Sequence, residues 1–559
     1  MKTLRLVSAL LATTLTAGAQ RVTVTVLATT DLHGNIYPYD YYTARPADRG
    51  LAKLATLIAA ARRQNPNSVL IDAGDTIQGT PIETIYEQYV RNGRLPLGLS
   101  LPAEGFKADP MMLAMNHLGY DAMTLGNHEF NFGLKVLDRA RADARFPWLS
   151  ANTETEPGSG RKPFAPYIVK TVAGVKIAII GITTPAIPQW EKPEHYAGLR
   201  FLPPKDAAAR AVAELKAGPR PDVIVAAVHA GLERAPGEGG ENMAGEIAAQ
   251  VPGIDAIVFG HSHQQVAGQR IGEVLLMQPK NWGISLGRMD FDLERQGGGW
   301  KIAGKSSRLI PVTAQTQADA ELLRLARPYH EAAERYLNTP VARSTIAMDG
   351  RYARIVDSAL LDAVQAVQLH YAHADVSLTA LFNPGVRVAA GAVTVRQIAA
   401  LYLYDNQLYA VQGNGKMLRE ALENAARFFL TCPEATCATG PLLNRQVAGF
   451  NFDVAQGVEY EIDLRQPEGR RVRNLRWHGK PLGDDQPLRI AINNYRAAGS
   501  GGYAMFRDAE IVWRSTEEIR DLIVAYYTER GSLPEKPDNN WRIAPPAAVE
   551  TLKKETAIP

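Results

Sequence analysis

The 559-residue chain is longer than one hydrophobic core usually supports, so we expect two domains. Hydrophobic residues make up 46% and charged residues 21%, as in an ordinary soluble globular protein. With 61 basic and 58 acidic side chains the net charge is only +3, which leaves no electrostatic case for binding duplex nucleic acid or a membrane surface. A compact anionic ligand would therefore need a local site.

The first residues have the pattern of a secretory signal. Lys2 and Arg5 precede an apolar run at residues 6–15, and small residues at 17–19 precede Gln20. That run is too short to span a bilayer, and no later run approaches the roughly 18 apolar residues required. We predict a signal peptide at residues 1–19 and a periplasmic or secreted mature protein. An uncleaved membrane anchor is the alternative.

Strand patterns alternate with helix patterns after Arg21. The predicted strands are residues 22–26, 69–71, 120–123, 175–182, 223–228, 256–259, 284–293 and 300–309. The predicted helices are residues 51–63 and 110–118. This alternation is typical of an α/β layered domain, which we place at residues 20–313.

The second half of the chain predicts a linker helix and another domain. Apolar residues at helical spacing over residues 317–337 predict the linker, assigned to residues 314–338. An α+β domain at residues 339–559 follows. Its predicted helices are residues 359–371 and 415–429, and its predicted strands are residues 401–412 and 458–464. The Pro-rich residues 534–546 predict a surface tail.

The two cysteines, Cys432 and Cys437, lie five positions apart. In an oxidising compartment such a pair is expected to form a small disulfide that fixes a loop. Metal binding is the alternative, but no further Cys or His lies within several residues.

Polar side chains follow five predicted strands of the first domain at the points where the strands end. They are Asp31, His33, Asp75, Asn127, His128, His229, His261 and His263. The carboxyl ends of strands form the edge of an open α/β sheet where ligands usually bind. Any one of these residues, taken alone, would be a turn or core residue about as often as a metal ligand. Their recurrence at five strand ends instead predicts one shared site.

The spacing and chemistry of these side chains predict a metal centre. Asp-x-His and His-x-His place both side chains on one side of an extended chain. Mixed oxygen and nitrogen ligands suit Zn, Mn, Fe or Co. Eight ligand-type residues exceed the needs of one ion, so we predict two divalent ions that share a bridging carboxylate and act on a phosphorus centre. Asp75 is the candidate bridge.

Five segments resemble the signatures of the calcineurin-like metallophosphoesterases, in that family's order. They are residues 29–35, 74–81, 126–133, 229–232 and 260–263. Residues 403–406 and 493–499 resemble the C-terminal domain of the 5′-nucleotidase family, so the resemblance covers nearly the whole mature chain. Residues 40–43 and 449–453 are most similar to its periplasmic 2′,3′-cyclic-nucleotide 2′-phosphodiesterase/3′-nucleotidases. The implied fold is a four-layer αββα sandwich, a linker helix and an α+β substrate-binding domain.

The resemblance also implies individual roles. One ion would be held by Asp31, His33, Asp75 and His263, and the other by Asp75, Asn127, His229 and His261. His128 would stabilise charge on the phosphoryl oxygens or the leaving group. The 5′-nucleotidases have an Asp at the position of Asn131. An Asn can orient the imidazole of His128, but it cannot raise its basicity as a carboxylate does.

The same resemblance assigns substrate contacts to the second domain. Tyr404 and Tyr495 match two aromatic positions that sandwich the base in this family. Judged from the sequence pattern alone, a Tyr in such a loop is more often a packing residue than a ligand contact. Asn383 and Arg387 lie in a loop that replaces the family's Gly-Gly-Gly-Ile-Arg phosphate loop, and Arg387 keeps its last position.

We therefore predict an exported, monomeric phosphoesterase that hydrolyses 2′,3′-cyclic nucleotides and 3′-nucleotides to nucleoside and phosphate. One alternative is a 5′-nucleotidase or UDP-sugar hydrolase. A thiosulfohydrolase acting on a sulfur-bearing carrier protein is another. A non-catalytic nucleotide-binding surface protein is the alternative from a different functional class.

Overall fold

A computed structural model of the chain describes residues 20–232, 241–404 and 406–556. The predicted signal peptide at residues 1–19 lies outside the described residues. Within the described ranges, no helix combines the length and the apolar character needed to cross a membrane.

Two six-stranded sheets form the centre of the N-terminal half. In spatial order the strands of the first sheet are Gly299–Pro311, Ser285–Gln296, Arg21–Thr29, Ser68–Asp72, Ala122–Thr124 and Trp148–Leu149. Those of the second sheet are Gln265–Ile271, Val274–Pro279, Ala256–Phe259, Val223–His229, Val175–Thr183 and Tyr167–Val172. Two short strand pairs flank them: Thr153–Thr155 with Leu199–Phe201, and Tyr39–Asp40 with Arg45–Pro46.

The layers follow from which faces of the sheets are apolar. Between the sheets, Val26 and Ile71 of the first sheet belong to one buried cluster with Ile179 and Val225 of the second. Helices pack on both outer faces, where separate buried clusters form. The helices of this half are Leu51–Gln64, Pro81–Asn92, Pro110–Leu118, Leu134–Asp143, Ile187–Trp190, Pro204–Ala217 and Ala244–Gln250. The arrangement confirms the predicted αββα sandwich.

Parallel pairing at the centre of each sheet brings the motif-bearing strand ends together. In the first sheet Ser68–Asp72 lies parallel to Arg21–Thr29 and to Ala122–Thr124. In the second, Val223–His229 lies parallel to Val175–Thr183 and to Ala256–Phe259. Because parallel strands end at the same edge of a sheet, the polar segments that follow them share one edge.

The linker helix spans Ala320–Asn338. Asp319 caps its N-terminus by accepting a hydrogen bond from the backbone N–H of Leu322 at 2.8 Å. Leu322 is buried with the N-terminal helices, whereas Tyr329 and Leu337 are buried in the core of the C-terminal half. One helix therefore contributes to both cores.

The C-terminal half is built on a five-stranded and a four-stranded sheet. In spatial order the strands of the larger sheet are Asp453–Gln456, Val376–Ala380, Pro487–Asn493, Gln407–Asn414 and Ile511–Glu518. Those of the smaller sheet are Lys480–Pro481, Val472–Trp477, Glu459–Asp463 and Trp541–Ala544. Two further pairs are Pro340–Ser344 with Gly391–Thr394, and Met348–Asp349 with Arg387–Val388. The helices are Ala359–Ala372, Val395–Ala399, Gly415–Ala426, Asn494–Ala497, Ile519–Arg530 and Pro546–Thr556.

Two expectations for this half are corrected. The predicted strand at residues 401–412 begins only at Gln407. The predicted surface tail at residues 534–546 is wrong, because Trp541–Ala544 pairs in parallel with Glu459–Asp463. Trp541 is 3% exposed, so burial of its aromatic ring outweighs the loop tendency of the neighbouring prolines. The predicted disulfide joins Cys432 and Cys437.

Candidate active site

Six of the predicted ligand side chains converge in two groups at the shared sheet edge. One group is Asp31, His33 and His263, and the other is Asp75, His229 and His261. Within each group the candidate ligand atoms lie within 4.8 Å of one another. The structure thus brings together residues that the motifs placed at separate strand ends. Asp75, which the resemblance assigned to both ions, belongs to the second group.

In the first group, the Nε2 atoms of His33 and His263 are 3.1 Å apart, and Oδ1 of Asp31 lies 3.4 Å from Nε2 of His263. Burial alone would raise the pKa of Asp31, but the hydrogen bond and charge of His263 lower it to about 2. Burial, together with the charges of His263 and His128, lowers the pKa of His33 to about 4. A carboxylate beside a neutral imidazole is a donor set ready for a cation.

In the second group, Oδ2 of Asp75 lies 3.0 Å from Nε2 of His229. Asn127 completes the set, with its Oδ1 3.1 Å from Nε2 of His229 and 2.9 Å from Nδ1 of His261. The charge of His229 holds the pKa of Asp75 well below its usual range, although burial opposes this. Asp75, Asn127 and His229 are all buried, so these donors face one another rather than bulk water.

In three of these histidines the ring nitrogen that faces away from the cluster has a hydrogen-bond partner, as is usual in metal-binding histidines. Nδ1 of His229 lies 2.8 Å from the carbonyl oxygen of Ala73. Nε2 of His261 lies 2.8 Å from Oε1 of Glu241, and Nδ1 of His33 lies 3.2 Å from Oε1 of Gln78. Each acceptor fixes the ring so that the other nitrogen faces the cluster. The residues present therefore fit divalent cations, as the oxygen and nitrogen donors also indicate.

The backbone at the site is held in an uncommon conformation. Five candidate ligands have positive φ angles: 50° at Asp31, 47° at His33, 60° at Asp75, 71° at His261 and 52° at His263. Non-glycine residues rarely adopt this region, and such strain concentrates at functional sites.

Gly126 permits the close approach of the turn that carries Asn127 and His128. A Cβ atom at this position would overlap Oδ1 of Asp75 and lie 2.5 Å from its backbone nitrogen. Any larger residue would therefore displace the candidate bridging carboxylate or the turn itself.

Two buried carboxylates organise the loops without belonging to either ligand group. Glu129 accepts hydrogen bonds from the backbone N–H groups of Gly126, Asp75 and Thr76 at 2.6, 3.0 and 2.7 Å. Asp72 accepts from Gly74 N–H at 2.8 Å and from the Thr76 hydroxyl at 2.9 Å. A carboxylate that accepts several such bonds fixes the loop on which Asp75 sits.

His128 is oriented by a chain of side chains. Its backbone N–H donates to Oδ1 of Asp75 at 2.8 Å, and its Nδ1 lies 2.5 Å from Oδ1 of Asn131. The amide nitrogen of Asn131 donates to Oε1 of Glu191, whose Oε2 lies 2.7 Å from Nδ1 of His195. Because the carboxylate of Glu191 can only accept hydrogen bonds, the amide nitrogen of Asn131 must face Glu191 and its amide oxygen must face His128. Nδ1 of His128 therefore carries a proton, and Nε2 lies 3.9 Å from Oδ2 of Asp75.

Glu191 and His195 were not found by sequence reasoning. They follow the short helix Ile187–Trp190 and carry no recognisable motif. A prediction would have needed the contact of Asn131 with a residue 60 positions away.

The two predicted base-binding tyrosines are exposed. Tyr404 is 46% and Tyr495 is 41% accessible, and Phe450 is the other aromatic among the exposed large hydrophobic side chains of the described residues. The ring of Tyr404 makes edge contacts with Phe382 and Phe450, with centroids 5.0 and 6.5 Å away. An exposed, laterally supported ring can stack with a ligand.

The loops that carry these tyrosines are joined. The side-chain nitrogen of Asn406 donates to Oδ1 of Asn494 at 3.1 Å. Asn406 lies two positions after Tyr404, and Asn494 immediately precedes Tyr495. This bond fixes the two loops relative to each other.

Asn383 and Arg387 are engaged within their own loop. Oδ1 of Asn383 accepts from the backbone N–H of Gly385 at 3.1 Å. Arg387 forms an ion pair with Asp349 at 3.0 Å and donates to the carbonyl oxygen of Val386 at 2.7 Å. In the described ranges neither residue has a hydrogen bond or ion pair with the two ligand groups, so the structure does not bring them into the cluster.

The chain matches two known families. Residues 24–265 match the calcineurin-like phosphoesterases, and residues 339–508 match the 5′-nucleotidase C-terminal domain. The fold and the two ligand groups thus define a metallophosphoesterase joined to a 5′-nucleotidase C-terminal domain.

Individual relatives narrow this class. The 2′,3′-cyclic-nucleotide 2′-phosphodiesterase/3′-nucleotidase of Yersinia enterocolitica is 31% identical, over 97% of this chain and 91% of that protein. The trifunctional nucleotide phosphoesterase protein YfkN of Bacillus subtilis is 32% identical over 95% of this chain, which spans only 39% of that longer protein. The crystal structure of a Staphylococcus aureus protein assigned as a 5′-nucleotidase has a TM-score of 0.68 at 26% identity, covering 93% of this chain and all of that one.

The chain belongs to the 5′-nucleotidase family, which includes the 2′,3′-cyclic-nucleotide 2′-phosphodiesterase/3′-nucleotidases. Members of this family are phosphoric ester hydrolases, and their metallophosphoesterase fold implies divalent metal ions.

Proposed function

We propose that the protein hydrolyses nucleotides at a two-metal centre and prefers 2′,3′-cyclic nucleotides and 3′-nucleotides. The observation that carries the proposal is the convergence of two oxygen and nitrogen donor groups at one sheet edge, beside His128. The preference is supported by the Yersinia relative, which matches over 91% of its length. Water would first open the cyclic ester to a 3′-nucleotide, and a second water would release phosphate and leave the nucleoside.

Each ligand group would hold one ion. Asp31, His33 and His263 would bind one, Asn127, His229 and His261 the other, and Asp75 would bridge them. Bound divalent ions of this kind activate water and stabilise charge on phosphoryl oxygens. The donors suit Mn, Zn, Fe or Co.

In this proposal His128 acts on the phosphoryl oxygens or the leaving oxygen from its Nε2 atom. Asn131 holds the Nδ1 proton and keeps the ring in one tautomer. In 5′-nucleotidases the carboxylate contacts the imidazole directly. Here Asn131 lies between the imidazole of His128 and the carboxylate of Glu191. The imidazole is therefore oriented by a neutral group, which in turn is fixed by a charged one.

The second domain would bind the nucleoside. Tyr404 and Tyr495 would enclose the base, since both rings are exposed and their loops are joined. Stacking accepts every base, because each has a π face. Asn383 and Arg387 would shape the neighbouring substrate loop rather than bind phosphate directly, given their bonds within that loop.

Export is part of the proposal and rests on the signal pattern of residues 1–19. Mass spectrometry of the protein from cell fractions tests it. We expect a mature form beginning near Gln20 in the exported fraction, and an intact N-terminus in the cytoplasmic fraction would contradict export.

The metal requirement is tested by removing and restoring ions. We expect chelation to abolish hydrolysis of 3′-AMP, and Mn²⁺ to restore it with two ions bound per chain. Full activity in chelator, or activity at one ion per chain, would overturn the two-metal proposal.

A 5′-nucleotidase is the second candidate, favoured by the C-terminal domain and the Staphylococcus structure. A comparison of substrates separates these two candidates.

A further inference from the structure

A chain of hydrogen bonds links the candidate metal ligand His33 to the C-terminal half of the protein. Nδ1 of His33 lies 3.2 Å from Oε1 of Gln78, and Nε2 of Gln78 donates to Oε1 of Glu518. Glu518 is the last residue of the strand Ile511–Glu518 in the five-stranded sheet. Only one side chain therefore separates the C-terminal sheet from the metal-binding cluster.

The contact is buried on both sides. Gln78 is 5% and Glu518 is 6% exposed. The second carboxylate oxygen of Glu518 accepts from Nη2 of Arg520 at 2.6 Å, and the guanidinium of Arg520 lies 4.2 Å above the ring of Tyr42. Hydrogen bonds in such a low-dielectric setting are strong and directional. Glu518 is consequently held in place by both halves of the chain.

The chemistry of the three groups fixes their orientation. A carboxylate can only accept, so Glu518 requires the Nε2 group of Gln78. The amide oxygen of Gln78 then faces His33, and it can bond only to a protonated Nδ1. This leaves Nε2 of His33 as the lone-pair donor, 3.1 Å from Nε2 of His263. Residues that bond to the free nitrogen of a metal-binding histidine set its tautomer and its orientation.

We propose that Glu518 is a positioning residue for the metal centre, through which the C-terminal half fixes the ring of His33 by way of Gln78. The ion that Asp31, His33 and His263 would hold would then reach full affinity only when the two halves touch at this point. The inference rests on the proposed metal centre but not on the identity of the substrate.

Glu517 provides a matched control in the same strand. Its carboxylate pairs with Lys192 at 3.6 Å across the same interface, and both side chains are about half exposed. Glu517 therefore crosses between the two halves without a bond to Gln78. Glu517→Gln removes one charge from the interface, as Glu518→Gln does, but leaves the chain to His33 unchanged.

The test is Mn²⁺ binding by the full-length, metal-free protein, measured by calorimetry without substrate. We expect two ions on the wild-type chain. Gln78→Ala should weaken one of them by about 10–100-fold, the usual cost of losing such a partner. Glu518→Gln should weaken the same ion by a smaller factor, because an amide at position 518 lets Gln78 turn its nitrogen towards His33. Glu517→Gln should bind as the wild type does.

A double variant separates positioning from general damage to the interface. Gln78→Glu alone places two carboxylates in contact and should disturb the site. Gln78→Glu combined with Glu518→Gln restores one donor facing one acceptor, and a carboxylate oxygen again faces His33. We expect this pair to recover Mn²⁺ affinity towards the wild-type value, which a merely structural defect would not do.

The outcomes distinguish this inference from the proposed function. Wild-type affinity for both ions in either Gln78→Ala or Glu518→Gln would overturn it, as would equal weakening in Glu517→Gln. A wild-type chain that binds a single ion would overturn it as well. If the wild type binds two ions and the variants weaken one of them as expected, but no nucleotide is hydrolysed, the proposed function fails. The positioning role of Glu518 then still stands.

Discussion

Nδ1 of His128 lies 2.5 Å from Oδ1 of Asn131, which makes a neutral amide the direct partner of the imidazole. The amide nitrogen of Asn131 donates to Glu191, so the carboxylate on the Nδ1 side of the ring acts through an intervening amide. The 5′-nucleotidases have an Asp at the position of Asn131. This difference determines how substitutions of Asn131 should change activity.

Asn131→Asp should lower activity rather than raise it. The new carboxylate would face Glu191 at hydrogen-bond distance, and two like charges there repel. We expect kcat for 3′-AMP to fall about tenfold, equivalent to about 1.4 kcal/mol of barrier. Asn131→Asp combined with Glu191→Gln should regain activity, because an amide would then face the new carboxylate. Steady-state kinetics measure this, with bound metal as the control, and an Asn131→Asp enzyme as fast as the wild type would refute the argument.

Tyr404→Ala and Tyr495→Ala should weaken nucleotide binding. Stacking on an aromatic ring contributes about 1–3 kcal/mol per base, so KM for 3′-AMP should rise by about 5–150-fold. Hydrolysis of p-nitrophenyl phosphate, which has no nucleobase, provides the control and should change little. An unchanged KM for 3′-AMP in both variants would exclude these rings from base binding.

Gly126→Ala should damage the metal centre. The added methyl group would overlap Oδ1 of Asp75, and the backbone nitrogen of Asp75 leaves no room for a shift. We expect loss of bound Mn²⁺ and a fall in kcat of at least about tenfold. Gly483→Ala is the matched control, since a Cβ there meets no atom within 4 Å. Retention of both ions by Gly126→Ala would show that the turn can move.

Asp362 predicts a pH effect on stability away from the active site. Burial, with the charges of Asp357 and Asp538, raises the pKa of Asp362 to about 8. An unfolded chain releases this proton near pH 4, so between about pH 4 and pH 8 the folded chain binds more protons. The stability that Asp362 contributes is therefore full at low pH and is lost as the pH rises towards 8.

Asp362→Asn should reduce this loss. An amide does not titrate, so the fall in Tm between pH 5 and pH 8 should be smaller by a few degrees than in the wild type. Asp508→Asn, at an exposed position, should follow the wild-type curve. Thermal unfolding at fixed ion concentrations measures the difference, and parallel curves for Asp362→Asn and the wild type would disprove the shift.

The parts of the structure that sequence predicted well are local. Val223–His229 and Ala256–Phe259 are apolar runs that end in polar motifs, and both strands form close to where the pattern placed them. The parallel order of the strands then brings His229 and His261 together. The motif spacing predicted that these residues share one site, whereas their division into two ligand sets came from the family resemblance.

The parts that sequence missed depend on contacts between distant segments. Glu191 reaches Asn131 across 60 positions, and Glu518 reaches Gln78 across 440. No periodic pattern encodes such pairs. Trp541 was missed for a related reason, because its partner strand Glu459–Asp463 lies about 80 positions earlier and the intervening prolines indicated a tail.

The central claim is tested most directly by kcat/KM for 2′,3′-cyclic AMP, 3′-AMP and 5′-AMP with the same Mn²⁺-loaded protein. We predict that 2′,3′-cyclic AMP and 3′-AMP are each preferred over 5′-AMP by at least about tenfold, equivalent to about 1.4 kcal/mol. A clear preference for 5′-AMP would contradict the account and assign the protein to the 5′-nucleotidases in activity as well as in fold.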